Sequence, residues 1–179
     1  GTFFKDGKPV IKEGYVTDLI TDEALRFISE ADSEQPFFLS VNYNAPHDPW
    51  MREDQPEELL KLYEECEFSS YPDEPDNPTQ VAKRTRPKSP EQLREFRQVY
   101  YACITGMDRG VGRIVERLEQ EEKLDNTIII FTADNGMNMG HHGIWGKGNG
   151  TFPINMYETS VKVPCIVYGK RFTGRTGDC

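Results

Sequence analysis

The sequence predicts an α/β domain with mostly parallel strands, and three observations carry that expectation. Apolar residues recur every three or four positions through Leu93, Phe96, Tyr100, Cys103, Met107, Val111, Ile114 and Leu118, the signature of a long amphipathic helix. Two apolar runs, Thr127 to Ala133 and Val161 to Tyr168, read as strands. A third segment, Pro36 to Tyr43, alternates Phe37, Leu39, Val41 and Tyr43 with other residues, as a strand does. The order strand, helix, strand then favours a sheet covered by helices.

Each element has local support. "TDLITDEALRFISEA", Thr17 to Ala31, carries a helical stripe, and Thr17 or Thr21 is expected to cap it. Pro46 and Pro49 force a loop that holds His47. Glu57 to Glu65 reads as a short helix, and five prolines between Cys66 and Pro90 predict a long surface excursion. Ser89-Pro90-Glu91-Gln92 opens the long helix with an N-cap serine, a first-turn proline and a capping-box glutamine. Gly106 and Gly110 lie on successive turns of it, where each costs up to about 1 kcal/mol relative to alanine, so close packing is expected there. Pro164 places the last strand near an edge or a bulge.

At 179 residues the chain fits one compact domain. Hydrophobic residues make up 36% and charged residues 28%, a globular balance. A formal net charge of -9 argues against general nucleic-acid binding, which needs a basic footprint. No apolar run reaches the roughly 18 to 20 residues that span a bilayer, so no membrane partner is expected. The compartment stays open, because "GTFFKDGKPV" carries neither a basic nor an apolar leader region. Cys66, Cys103, Cys165 and Cys179 form no zinc spacing; Cys103 and Cys165 read as core residues, and a Cys66–Cys179 disulfide stays open.

Chemistry concentrates in "IIIFTADNGMNMGHHGIWGKG", Ile128 to Gly148. Ligand sites in open α/β sheets lie beyond the carboxyl ends of strands, where Asp134, Asn135 and His47 all fall. Asp134 and Asn135 offer hard oxygen donors suited to Ca²⁺ or Mg²⁺, although an Asp-Asn-Gly turn uses the same letters. His141 and His142 are metal ligands, proton donors or plain loop residues. Lys147 between Gly146 and Gly148 can approach an anion closely or simply sit at the surface. His47 on a rigid loop suits proton donation near neutral pH. Trp50 beside it reads as a packing residue or a pocket wall.

The order of these pieces is more specific than any one of them. "NAPHDPW", "YYACITGMDRGVGRIVERLE", "FTADNG", "GHHGIWGKG" and "NMYETSVKVPCIVYG" together resemble the sulfatase family of the alkaline-phosphatase-like superfamily, from about Gly14 to Gly169. The resemblance implies a three-layer αβα sandwich with a mostly parallel sheet. It implies hydrolysis of a sulfate ester, on a sulfated small molecule or carbohydrate, at one divalent cation, usually Ca²⁺ or else Mg²⁺. The family's metal-binding Asp-Asn pair matches Asp134 and Asn135, its sulfate-binding lysine matches Lys147, and its sulfate-contacting histidine matches His47. His142 matches the histidine of a G-x-H-G segment, and His141 receives no role. The family's formylglycine arises from a C/S-x-P-x-R motif, which none of the cysteines or serines here begins. The expectation is therefore an incomplete catalytic domain: an internal segment, inactive alone, whose nucleophile lies in a missing N-terminal part of the same protein. Two alternatives stay open, a phosphomonoester or phosphodiester hydrolase of the superfamily and a non-catalytic binding module on its scaffold.

Overall fold

The computed structural model describes residues 2–170 and 172. The chain divides into two compact units, Gly1–Cys66 with Arg94–Glu122, and Glu67–Leu93 with Lys123–Cys179. Cys179 lies outside the described residues, and with it the pairing left open for Cys66.

The first unit begins with a hairpin, β1 (Thr2–Lys5) paired antiparallel with β2 (Lys8–Ile11). The apolar pattern does not announce it. Its signal is Asp6-Gly7, where both residues adopt the positive φ a two-residue turn requires. Helix α1 (Val16–Glu30) follows. Neither threonine caps it: Tyr15 occupies the cap without a side-chain hydrogen bond, and Thr17 and Thr21 are buried within the helix. The Thr21 hydroxyl donates to the Thr17 carbonyl at 2.8 Å and lies 2.9 Å from the Tyr43 hydroxyl, so packing claimed it instead. Helix α2 is shorter than expected, Glu57–Lys61, and buries Leu59 and Leu60.

Helix α3 (Pro90–Gln120) is the expected long helix, and most of it belongs to this unit. Its start carries the expected serine cap, with the Gln92 N–H donating to Ser89 Oγ; Gln92 Oε1 reaches back one residue past the cap and accepts from the Lys88 N–H. Gly106 and Gly110 explain themselves by contact. A Cβ at Gly106 would stand 2.7 Å from the Tyr15 hydroxyl, and one at Gly110 2.5 Å from Thr21 Oγ1. Trp50 is a packing residue: it is buried, donates its indole N–H to the Pro46 carbonyl and meets Phe96 and Tyr100 edge-on. Burial pushes the thiol of Cys103 up to about 11.

Pro36–Tyr43 keeps the alternation of a strand, with 37, 39, 41 and 43 half-buried and their neighbours exposed, but it forms no ladder. No partner strand runs beside it among the described residues, so the periodicity is present without the pairing. Phe38 is 90% exposed.

In the second unit, β3 (Ile129–Thr132) pairs antiparallel with β6 (Cys165–Tyr168), Ile129 opposite Tyr168 and Thr132 opposite Cys165. The strand expected from Val161 starts later, because Glu158–Val161 forms the helical turn α4. All three described sheets are two-stranded and antiparallel, in contrast to the parallel pairing expected. The coverage expected on both faces is also missing: Ile130 and Ile166 are exposed, and so is Cys165, which the apolar pattern placed in a core.

The excursion is anchored rather than loose. Asn77 donates its N–H to the Gly143 carbonyl at 2.9 Å, and Gln80 and Thr151 form an antiparallel bridge. Val81 and Ala82 both donate to the Gly150 carbonyl. The short strands β4 (Asn138–Met139) and β5 (Trp145–Gly146) pair with each other and carry the segment between them. Among the described residues no helix is long and apolar enough to cross a membrane.

Candidate functional site

Four of the five predicted site residues lie in the second unit: Asp134, Asn135, His142 and Lys147. Strand β3 ends at Thr132, and the chain leaves it through Asp134-Asn135-Gly136. Gly136 is needed there by contact, since a Cβ would lie 2.3 Å from the Thr159 carbonyl oxygen. Its N–H donates to the Ser160 carbonyl at 3.1 Å, which fixes the segment.

The Asp134 carboxylate is exposed and makes no hydrogen bond or ion pair among the described residues. Asn135 Oδ1 accepts from the Lys147 ammonium at 3.1 Å, and Asn135 Nδ2 donates to the Gly136 carbonyl. Two residues predicted for opposite duties, one facing a metal cation and one facing an anion, are thus direct neighbours. Asp134 and Asn135 together offer two oxygen donors of the kind that Ca²⁺ and Mg²⁺ take. Among the described residues no group of three or more acidic, histidine or cysteine side chains is placed to hold a metal ion.

His142 has a φ of 59° and stacks on Tyr157, with ring centroids 3.9 Å apart and planes 14° from parallel. The stack fixes the ring plane and leaves its edge nitrogens available. His141 lies instead against Tyr71. Tyr157 also borders a cavity of about 400 Å³ lined by Asn77, Ile144, Pro153, Ile154 and Asn155 among others. Both the excursion and the loop from Gly148 to Asn155 contribute to it.

His47 belongs to the first unit. Its N–H donates to the Asn44 carbonyl, and its ring is exposed. Nδ1 lies 2.7 Å from the Asp48 carbonyl, which can only accept, so Nδ1 carries the proton and Nε2 is the free nitrogen.

Sequence reasoning missed a set of buried amides and hydroxyls around Lys147. Asn138 is fully buried, and its amide donates to the Gly146 carbonyl at 2.9 Å and to Ser160 Oγ at 2.6 Å. Ser160 Oγ donates to Asn155 Oδ1, and Asn155 Nδ2 donates to the Gly148 carbonyl. The one signal in the sequence was a lone polar residue, Asn138, between two methionines.

The sulfatase family model matches residues 2–173. An N-acetylglucosamine-6-O-sulfatase of Bacteroides thetaiotaomicron is 25% identical, with 92% of this chain and 40% of that protein covered. The iduronate 2-sulfatase of Mus musculus is 31% identical, over 88% of this chain and 31% of that protein. Among solved structures, BT4656 in complex with its substrate D-glucosamine-2-N,6-O-disulfate superposes with a TM-score of 0.77 at 22% identity, covering 95% of this chain and 46% of the other. The chain therefore spans less than half the length of each of these proteins.

Proposed function

The chain belongs to the sulfatase family, and on that premise we propose that the protein carrying it hydrolyses sulfate esters of carbohydrates. The observation that carries the reading is the 3.1 Å contact between Lys147 and Asn135, which sets an anion-binding ammonium beside a cation-binding oxygen. A sulfate ester has three non-bridging oxygens whose charge must be held while the ester bond breaks, so its site needs cations on more than one side.

In this reading Asp134 and Asn135 hold one divalent ion, Ca²⁺ or Mg²⁺, with further donors from outside this chain. When bound, that ion supplies Lewis-acid stabilisation of the sulfate oxygens. The Lys147 ammonium binds a non-bridging oxygen from the protein side. His142, held flat by Tyr157, contacts the sulfate through its ring edge. His47, in the form with both ring nitrogens protonated, gives its Nε2 proton to the departing alcohol oxygen while Nδ1–H stays on the Asp48 carbonyl. The nucleophile is a formylglycine outside this chain, carried on a complete three-layer αβα sandwich with a mostly parallel sheet. The unpaired alternation at Pro36–Tyr43 and the uncovered face of β3 and β6 support that larger fold. The reading also makes the whole chain, residues 1–179, part of a single catalytic domain.

Carbohydrate as the substrate is supported by the N-acetylglucosamine-6-O-sulfatase and iduronate 2-sulfatase relatives. The cavity beside His142 suits a sugar, with an aromatic ring and aliphatic walls for its C–H faces and amides at its rim. The test uses the protein carrying this chain. Lys147→Ala and Asp134→Ala are each expected to lower kcat/KM on sulfated sugars at least ~100-fold, the scale of losing one charge-stabilising donor. Asp134→Ala is also expected to abolish stoichiometric calcium in elemental analysis. Faster turnover of the matching phosphate ester would overturn the reading in favour of a phosphohydrolase. Unchanged kinetics in both variants would overturn any catalytic role. The 179-residue chain alone is expected to release no sulfate above background, and clear turnover by it would refute the placement of the nucleophile.

A further inference from the structure

The carbonyls of both glycines beside Lys147 are held by side chains of one connected hydrogen-bond chain. We propose that Asn138, Ser160 and Asn155 form a positioning relay that sets the Lys147 ammonium against the sulfate, an inference that rests on the sulfatase reading above. The Gly146 carbonyl before the lysine accepts from Asn138 Nδ2 at 2.9 Å. The Gly148 carbonyl after it accepts from the Asn155 amide side chain at 3.1 Å and from the Asn155 main-chain N–H at 3.0 Å. Ser160 joins the two amides, accepting from Asn138 Nδ2 at 2.6 Å and donating to Asn155 Oδ1 at 2.6 Å.

The same serine reaches the other half of the site. Its main-chain carbonyl accepts from the Gly136 N–H at 3.1 Å, one residue after Asn135. Ser160 is therefore the point where the segment bearing Asn135 and the segment bearing Lys147 are keyed to each other. Glycines flank the lysine on both sides, so its own backbone supplies little rigidity. The relay supplies it from outside. Gln80 adds a second brace two residues upstream: its carboxamide accepts from the Trp145 N–H at 3.0 Å and donates to the Trp145 carbonyl at 2.8 Å.

Burying an amide such as Asn138 costs several kcal/mol unless every polar atom is bonded. Here Oδ1 accepts from the Thr159 hydroxyl and Nδ2 makes two bonds, so the amide is satisfied only while the flanks of Lys147 stay in this arrangement. The relay thus has one geometry, and misplacing a catalytic group by about 1 Å costs on the order of a hundredfold in rate.

A double-mutant cycle in the protein carrying this chain tests the relay, with a chromogenic aryl sulfate as the probe. Ser160→Ala is expected to lower kcat/KM roughly tenfold in the parent and less than about twofold in a Lys147→Ala background, because a residue that acts through the lysine has nothing left to position. Asn155→Ala, at a half-buried position, repeats the measurement with less risk to folding, and the same collapse of its effect is expected. Equal losses in both backgrounds would overturn the relay and leave these residues as general structural supports. No loss in the parent background would also overturn it. If Lys147→Ala alone leaves kcat/KM unchanged, the sulfate-clamp reading fails and takes the relay with it. A deep Lys147→Ala defect with unaffected Ser160 and Asn155 variants defeats the relay alone.

Discussion

Two glycines of α3, two positions apart, should respond to the same substitution with opposite signs. At Gly110 a Cβ would stand 2.5 Å from Thr21 Oγ1 and 2.8 Å from the Tyr43 hydroxyl, against an ordinary contact that begins at 3.4 Å. At Gly112 nothing lies within 4 Å. Alanine improves helix propensity by about 1 kcal/mol at either site. At Gly110 that gain meets an overpacking cost of about 1–3 kcal/mol. Relief by rotating Thr21 breaks its bond to the Thr17 carbonyl, a further loss of about 1 kcal/mol. Gly110→Ala is therefore expected to destabilise the chain by about 1–3 kcal/mol, and Gly112→Ala to stabilise it by about 0.5–1 kcal/mol. For a chain of this size each kcal/mol corresponds to about 2–4 °C in Tm. Urea unfolding of the 179-residue chain, with the midpoint read at constant m-value, measures the difference. Coincident midpoints, or a higher midpoint for Gly110→Ala, would refute the account of why glycine is needed there.

Gly143 has a φ of 66°, and a Cβ there would lie 2.0 Å from the Pro75 carbonyl oxygen. Gly143→Ala should thus cost about 2 kcal/mol or more and release the excursion, read as faster proteolytic cleavage between residues 67 and 88. The Lys12 ammonium, with Arg26 beside it, lowers the Glu23 carboxyl to about 2 from 4.5. A lowered carboxylate stabilises the fold above its unfolded pKa and loses that contribution as pH falls through the folded value. Because the pair is half-exposed, Glu23→Gln should cost less than about 1 kcal/mol at pH 7, with the gap closing between pH 4.5 and about 2 in a urea-midpoint series. The Cys103 thiol, raised to about 11 by burial, should label about a hundredfold more slowly at pH 8 than an ordinary thiol, and after exposed Cys165; mass spectrometry of partly modified chain reads both.

The sequence by itself determined the features that depend on neighbours along the chain. Periodicity placed α1 and the start of α3 to within a residue or two, and the Ser89 cap on the Gln92 N–H formed as expected. The apolar run marked β3, and the alternation of Pro36–Tyr43 appears in its burial although no strand forms there. The order of five short motifs identified the family, because side-chain types at fixed spacing survive when their surroundings vary.

Tertiary structure alone decided which groups meet. Thr21 reads as a cap in sequence, yet its hydroxyl turned to Tyr43, 22 residues away, because burial left it no water to bond. Cys165 reads as core from its apolar neighbours, but burial depends on whether another layer covers the strand, which no local pattern encodes. Asn138, Ser160 and Asn155 carry no motif, and only folding joins their amides and hydroxyl around Lys147. Hydrogen bonds between residues far apart in sequence depend on distances in space, so the residues named for the site were legible in the chain while the side chains that hold them were not.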